Sequence, residues 1–303
     1  MTFSKSLTAL FLADVIITAL ATCGPILPFI TPASDPVNDT GTPARETISF
    51  SGSWSDDASL GGFAVRQAVR TSSLAADSLT VSHGQTSARV EVGPGDDPTG
   101  ASGAESAEVA IMKPNGKKSY ENAASGSVFI GTSYLLPTTW QSPVSSSSDW
   151  SVVLELHGPD TLSAAAAISL NADSAFSLTV NAGDLNSSTP YKVTFSDGSL
   201  NLGQWTDFMI EISFSPASDG SIKVWRRNQG QTNFTAVAYV NNVPTLQYNS
   251  SSSTTIGDHY WKQGLFRSAN SSITNVLWMG PIVRGPSFNS VEARAFGTNA
   301  GPP

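Results

Sequence analysis

The chain has 303 residues, 40% of them hydrophobic and 13% charged, with a formal net charge of −8. That is enough apolar material for one large core or two small ones, and the acidic balance argues against nucleic acid as a partner, since such proteins carry a basic face. One cysteine, Cys23, excludes an intrachain disulfide and a cysteine-held zinc, and three histidines outside any H-x-x-x-H spacing argue against a catalytic zinc site.

At the N-terminus, Lys5, the apolar run Leu7–Leu20 and the small residues Ala21–Gly24 have the anatomy of a secretory signal. Residues 1–23 are therefore expected to be a signal peptide or an uncleaved N-terminal anchor, and the protein is expected outside the cell. Five N-glycosylation sequons, at Asn38, Asn186, Asn233, Asn249 and Asn270, fit a secreted glycoprotein. Residues 24–45 are rich in Pro, Thr and Asp without a period, as a linker is. The folded domain is expected over residues 46–297, followed by a flexible tail at 298–303.

From Glu46 on, short apolar runs alternate with turn clusters at the spacing of an all-β sandwich. Candidate strands run from Glu46–Phe50 to Ser290–Arg294, and helical signal is scarce. Two of them, Ala88–Val92 and Glu105–Met112, each place polar groups on one face: Arg89 with Glu91, and Ser106 with Glu108. Either pair could serve a cleft or simply meet solvent. The Gly93–Asp97 loop, GPGDD, offers oxygen ligands for a structural calcium ion without forming a complete binding loop, and no other cofactor is expected.

Two stretches carry the candidate chemistry. Asp149–Gly158, DWSVVLELHG, read as a strand puts Val153, Glu155 and His157 on one face and Val152, Leu154 and Leu156 on the other. Histidine titrates around pH 6.5 when unperturbed, so His157 is a natural proton carrier if its face lines a cleft. Asp258–Arg267, DHYWKQGLFR, alternates in the same way, with Tyr260, Lys262, Gly264 and Phe266 on one face. A phenol and an ammonium two residues apart, beside a glycine, would suit the floor of a cleft for an anionic ligand. The serine tracts Ser145–Ser148 and Ser250–Ser253 read as exposed loops, the second placed where a lid would lie. Between these stretches, Gly203–Trp225 reads as a hairpin around Pro216-Ala-Ser-Asp-Gly220, with Trp205 and Trp225 assigned to core rather than to a sugar platform.

Five segments, taken in order, resemble the jelly-roll polysaccharide lyases: Tyr134–Trp140, Val153–Gly158, Gly203–Phe208, Asp219–Trp225 and Tyr260–Arg267. Among those lyases the heparin-lyase-I-like and glucuronan-lyase-like families are the nearer, the alginate lyases the more distant. The resemblance implies a concanavalin-like β-jelly roll of two antiparallel sheets whose concave sheet binds an acidic polysaccharide; a monomer is the separate expectation for its assembly. It also implies β-elimination at uronic acid units, glucuronan being the first substrate guess. By the same resemblance Tyr260 is the acid/base residue, donating a proton to the leaving oxygen and also a candidate for the base, and His157 acts as base or helps neutralise the substrate carboxylate. Lys262, Glu155, Glu108, Ser106 and Arg89 would bind substrate. Where relatives carry glutamine–x–histidine this chain has Glu155 and His157, and where they carry arginine–x–glutamate it has Ser106 and Glu108. An ionised Glu155 would oppose elimination, so it must stay protonated, or Lys262, His157 or Arg89 must take over. The departures motivate an alternative, a non-catalytic carbohydrate-binding jelly roll.

Overall fold

The computed structural model describes residues 48–297, apart from 53, 55–62, 64, 101–102, 111–120, 159–163, 173–174, 187–190, 197, 199–200 and 251–258. The expected leader, linker and tail, and the serine tract from 251 on, lie outside the described residues. Among the described residues the chain forms seventeen strands in two sheets and one α-helix.

The first sheet has nine strands. Its main path runs β13 (Thr235–Val243), β12 (Gly220–Asn228), β11 (Trp205–Ser213), β6 (Ser127–Leu135), β16 (Asn275–Met279), β4 (Gln85–Val92) and β3 (Leu74–Ser82). Beside β6 lie β17 (Val283–Gly285) and, paired to it, β1 (Phe50–Ser51). The second sheet runs β10 (Tyr191–Ser196), β9 (Phe176–Asp184), β8 (Ala164–Leu170), β7 (Ser151–His157), β15 (Tyr260–Ser268), β5 (Ala104–Ala110) and β2 (Val65–Ala68). All these pairs are antiparallel; a short parallel pairing of β14 (Gln247–Tyr248) with β9 completes it as an eight-stranded sheet. The all-β sandwich expected from strand spacing is the observed fold.

Alternation explains why the sheets face one another. Along β15 the odd positions Trp261 and Leu265 are buried with Leu154 and Leu156 of β7 and Ala107 and Val109 of β5. These meet Ile130 and Tyr134 of β6 and Phe208 and Ile210 of β11 from the first sheet in one apolar cluster. The rings of Tyr134, Phe176 and Phe208 bridge the layers, with Phe176 edge-on to Phe208 at 4.6 Å. Polar groups that enter this interior are partnered across it. The Tyr134 hydroxyl donates to Val153 O at 2.9 Å, and Gln263 Nε2 donates to Thr132 Oγ1 at 2.7 Å. Burial pushes the Tyr134 phenol well above the ordinary tyrosine value, so it stays a donor. Arg267 is fully buried and pairs with Glu105 at 2.7 Å while donating to Ile273 O at 2.9 Å, which ties β15 and β5 to the segment entering β16.

The strand expected at Ser290–Arg294 is instead part of the helix α1 (Phe288–Phe296). S-V-E-A-R alternates like a strand, but Val291 and Ala295 are also four apart and share one helical face. Ser287 caps the start by accepting from Ser290 N, and Gly297 ends the helix at φ 64°. That face seats on Gly131, where a Cβ would lie 2.7 Å from Val291 Cγ1. Trp225 also packs on this side, edge-on to Phe288 at 5.3 Å. The predicted run Thr274–Val283 is likewise divided, into β16 and β17.

Gly264 sits where β15 departs from regular pairing with β7. Gln263 lies opposite Leu154 but Phe266 opposite Val152, so Gly264 and Leu265 together face the single residue Val153. Such a bulge re-aims the side chains that follow it. The backbone there is pressed on β5: a Cβ on Gly264 would collide with the Ala107 carbonyl oxygen and lie 2.6 Å from Glu108 Cα. Gly264→Ala is expected to destabilise the fold by about 3 kcal/mol or more, as overpacking against backbone does. Denaturant unfolding checks this; a loss near zero would mean that β15 and β5 separate easily.

Candidate active site

The outward face of the eight-stranded sheet collects the even positions of β15. Tyr260 pairs with His157, Lys262 with Glu155, and on the other side Gly264 pairs with Glu108 and Phe266 with Ser106. Two segments a hundred residues apart in sequence thus become neighbours because β7 and β15 are adjacent strands in phase.

At one end the His157 and Tyr260 rings stack, 4.9 Å between centroids and 23° between planes, and both are half-buried. His157 Nδ1 lies 2.6 Å from Gly158 O. A carbonyl only accepts, so Nδ1 carries the hydrogen and the neutral ring has its lone pair on Nε2.

Next to this pair is a buried charge cluster. Lys262 Nζ stands 2.8 Å from Glu108 Oε2 and 3.1 Å from Glu155 Oε1, and the three residues are only 6%, 3% and 3% exposed. The contact to Glu108 is a hydrogen bond; Glu155 Oε1 touches the ammonium without hydrogen-bond geometry. Burial alone would lower the ammonium, but the two carboxylates outweigh it and hold Lys262 above the ordinary lysine value. Glu108 is pushed up to about 7, chiefly by burial; Lys262 opposes the rise and Glu155 adds to it.

Beyond Lys262 the face turns aromatic and then hydroxyl-rich. The ammonium lies 5.2 Å from the Phe266 ring centre, and Phe266 meets Trp150 edge-on at 4.5 Å. Trp150 is 37% exposed and opens onto a groove of about 550 Å³ bordered by Ser169, Asn171, Thr179 and Thr194. One wall of that groove is the serine tract Ser145–Ser147. It is folded into a turn by Asp149, whose Oδ2 accepts from Ser145 N, Ser145 Oγ and Ser146 N. These hydrogen bonds, with Asn270 donating to Oδ1, hold the Asp149 carboxyl far below the usual range.

Six of the seven expected site residues therefore share one face: Tyr260, His157, Lys262, Glu155, Glu108 and Ser106. Arg89 does not. Its strand β4 belongs to the nine-stranded sheet, where Arg89 lies opposite Trp278 and pairs with Glu91 at 2.6 Å. Alternation correctly puts Arg89 and Glu91 on a common face, but strand order puts that face on the other layer. In the GPGDD loop Asp96 is buried and accepts from Gly93 N and Arg70, while Asp97 is half-buried and accepts from Thr99. Trp150, Gly264 as a bulge and Gln67 of β2, opposite Glu108, join the site without having been singled out as site residues. Their signal is pairing between distant strands, which alternation within one strand does not contain.

Comparison with known proteins agrees with this geometry. A family described as "Polysaccharide lyase" matches residues 50–282. No curated protein matches the chain. Among solved structures, the endo-β-1,4-glucuronan lyase from the fungus Trichoderma reesei is similar, with a TM-score of 0.59 and 16% identity, covering 81% of this chain and 98% of that one. The PL-14 alginate lyase from Aplysia kurodai is also similar, with a TM-score of 0.51 and 12% identity, covering 79% of this chain and 100% of that one. At such identities the likeness shows the shared fold.

Proposed function

Because the chain belongs to the polysaccharide lyase family, we propose that it is a secreted enzyme cleaving 1,4-linked uronic-acid polymers by β-elimination, with glucuronan the first substrate to try. The observation that carries this reading is the convergence of Tyr260, His157 and the Lys262 cluster on one open sheet face. The solved glucuronan lyase with the same fold supports the choice of substrate.

His157 Nε2, which holds the ring's lone pair, takes the proton from C5 of the sugar acid. The C–H electron pair becomes the C4–C5 double bond as the C4–O bond breaks. The departing oxygen takes the Tyr260 proton, and the tyrosinate then recovers a proton from the imidazolium next to it. No water is consumed, and the new non-reducing end is unsaturated. A positioned acid and base of this kind contribute about 10²–10⁴-fold each. C5 is acidic only if the adjoining carboxylate is neutralised, which is the role of the cluster at Lys262. The groove past Trp150 offers hydroxyl and amide partners to further sugar units.

Ultraviolet absorbance of the new double bond tests the proposal. Incubation with glucuronan, alginate and heparin is expected to give rising absorbance with at least one polymer, glucuronan first. No absorbance with any of them, alongside binding on a glycan array, would identify a carbohydrate-binding protein instead.

A further inference from the structure

The Lys262 cluster has one cation for two carboxylates. Glu108 and Glu155 reach the same ammonium from opposite neighbouring strands, and all three side chains are more than nine-tenths buried. One ammonium balances one carboxylate; a second bare charge in such a place costs several kcal/mol. Among the described residues, the groups packed around the pair offer no second cation. On β15 the face presents Tyr260 and Lys262, and on β7 it presents His157 and Glu155. β2 brings Gln67 beside Glu108, while Arg66 lies one position out of phase and donates to Leu74 O. β8 places Ala167 opposite Glu155. Glu105 and Arg267 belong to the opposite face and pair with each other.

We infer that the carboxyl pair flanking Lys262 keeps one proton besides those of the ammonium, and that this proton-loaded pair is the receptor that neutralises the substrate's carboxylate. The inference rests on the lyase reading above and gives the departure of Glu155 from glutamine a chemical role. A carboxyl group that keeps its proton donates to an incoming carboxylate as an amide does, through a charge-assisted bond. The same proton keeps the floor of the site from repelling the polymer. The rise of Glu108 to about 7 agrees with the retained proton. A uronate brought against the pair raises its proton affinity further, because like charges disfavour the ionised form. Binding above neutral pH must therefore take a proton from solvent.

Two measurements test this. The first is KM for glucuronan oligomers between pH 6 and pH 9. It is expected to rise about tenfold per pH unit above about pH 7 in the wild type, and to flatten in Glu155→Gln, where one carboxylate faces one ammonium. The second is calorimetric binding to Tyr260→Phe at pH 8 in two buffers of different ionisation enthalpy, which needs no turnover. Uptake approaching one proton per site is expected there. It should vanish when Glu155→Gln is added and persist when His157→Asn is added. A level KM with cleavage still visible, or binding without proton uptake, overturns the retained proton and leaves the lyase reading standing. Uptake lost with His157→Asn and kept with Glu155→Gln would move the proton to the imidazole. Absence of cleavage with proton-coupled binding intact would overturn the lyase reading alone, and absence of any binding would overturn both.

Discussion

Tyr260→Phe is expected to lower kcat on the cleaved polymer by about 10²–10⁴-fold with KM little changed. Only a hydroxyl is removed, and the ring that stacks on His157 remains. Tyr260 is half-buried at the end of a strand whose core anchors are Trp261 and Leu265, which the substitution leaves in place. The melting temperature should stay within about 2 °C of wild type. In the mechanism the lost atom carries the proton for the departing sugar oxygen, so the deficit belongs to bond breaking rather than to binding. Steady-state kinetics by double-bond absorbance reads the loss. A variant with wild-type kcat would remove Tyr260 from the chemistry and return the role of acid to another group.

Lys262→Met is expected to be the most damaging single change to the site's stability. Methionine fills nearly the same volume but leaves Glu108 and Glu155 facing each other in a buried place without their cation. Breaking a buried ion pair from one side costs about 3–5 kcal/mol. The cost should depend on pH with a definite sign. Glu108 already titrates above its ordinary value, so the folded state holds protons that the unfolded chain releases, and its contribution to stability falls as pH rises from 4.5 through about 7. Without Lys262 that fall steepens, because the cation that opposed it is gone. Denaturant unfolding at pH 5 and pH 8 should therefore show a larger difference between variant and wild type at pH 8. An equal deficit at both values would mean that the carboxylates find other partners.

How far the site could be read from sequence depends on the range of the signal. Alternation along Ser151–His157 and along Tyr260–Ser268 placed Glu155 with His157, and Tyr260 with Lys262, on single faces, and the structure keeps both assignments. The hairpin joining Trp205–Ser213 to Gly220–Asn228 was legible because its turn is local. Arg89 was misplaced because its own strand says which face it shares with Glu91 but not which sheet that strand joins. Ser290–Arg294 reads as a strand because five residues of alternating polarity satisfy both periods. The cap at Ser287 and the terminal Gly297 were the signals that could have decided it. The bulge at Gly264 and the shared ammonium of Lys262 depend on how three strands register against one another. No stretch of the chain contains that information by itself.

The central claim is that this sheet face removes a proton and a sugar alcohol rather than adding water. Mass measurement of the oligosaccharides released from glucuronan decides it most directly. Elimination predicts that every new non-reducing end is lighter by one water than a hydrolysed end, and that these products disappear with Tyr260→Phe. Saturated ends of full mass, or unsaturated ends that persist undiminished in Tyr260→Phe, would contradict the account.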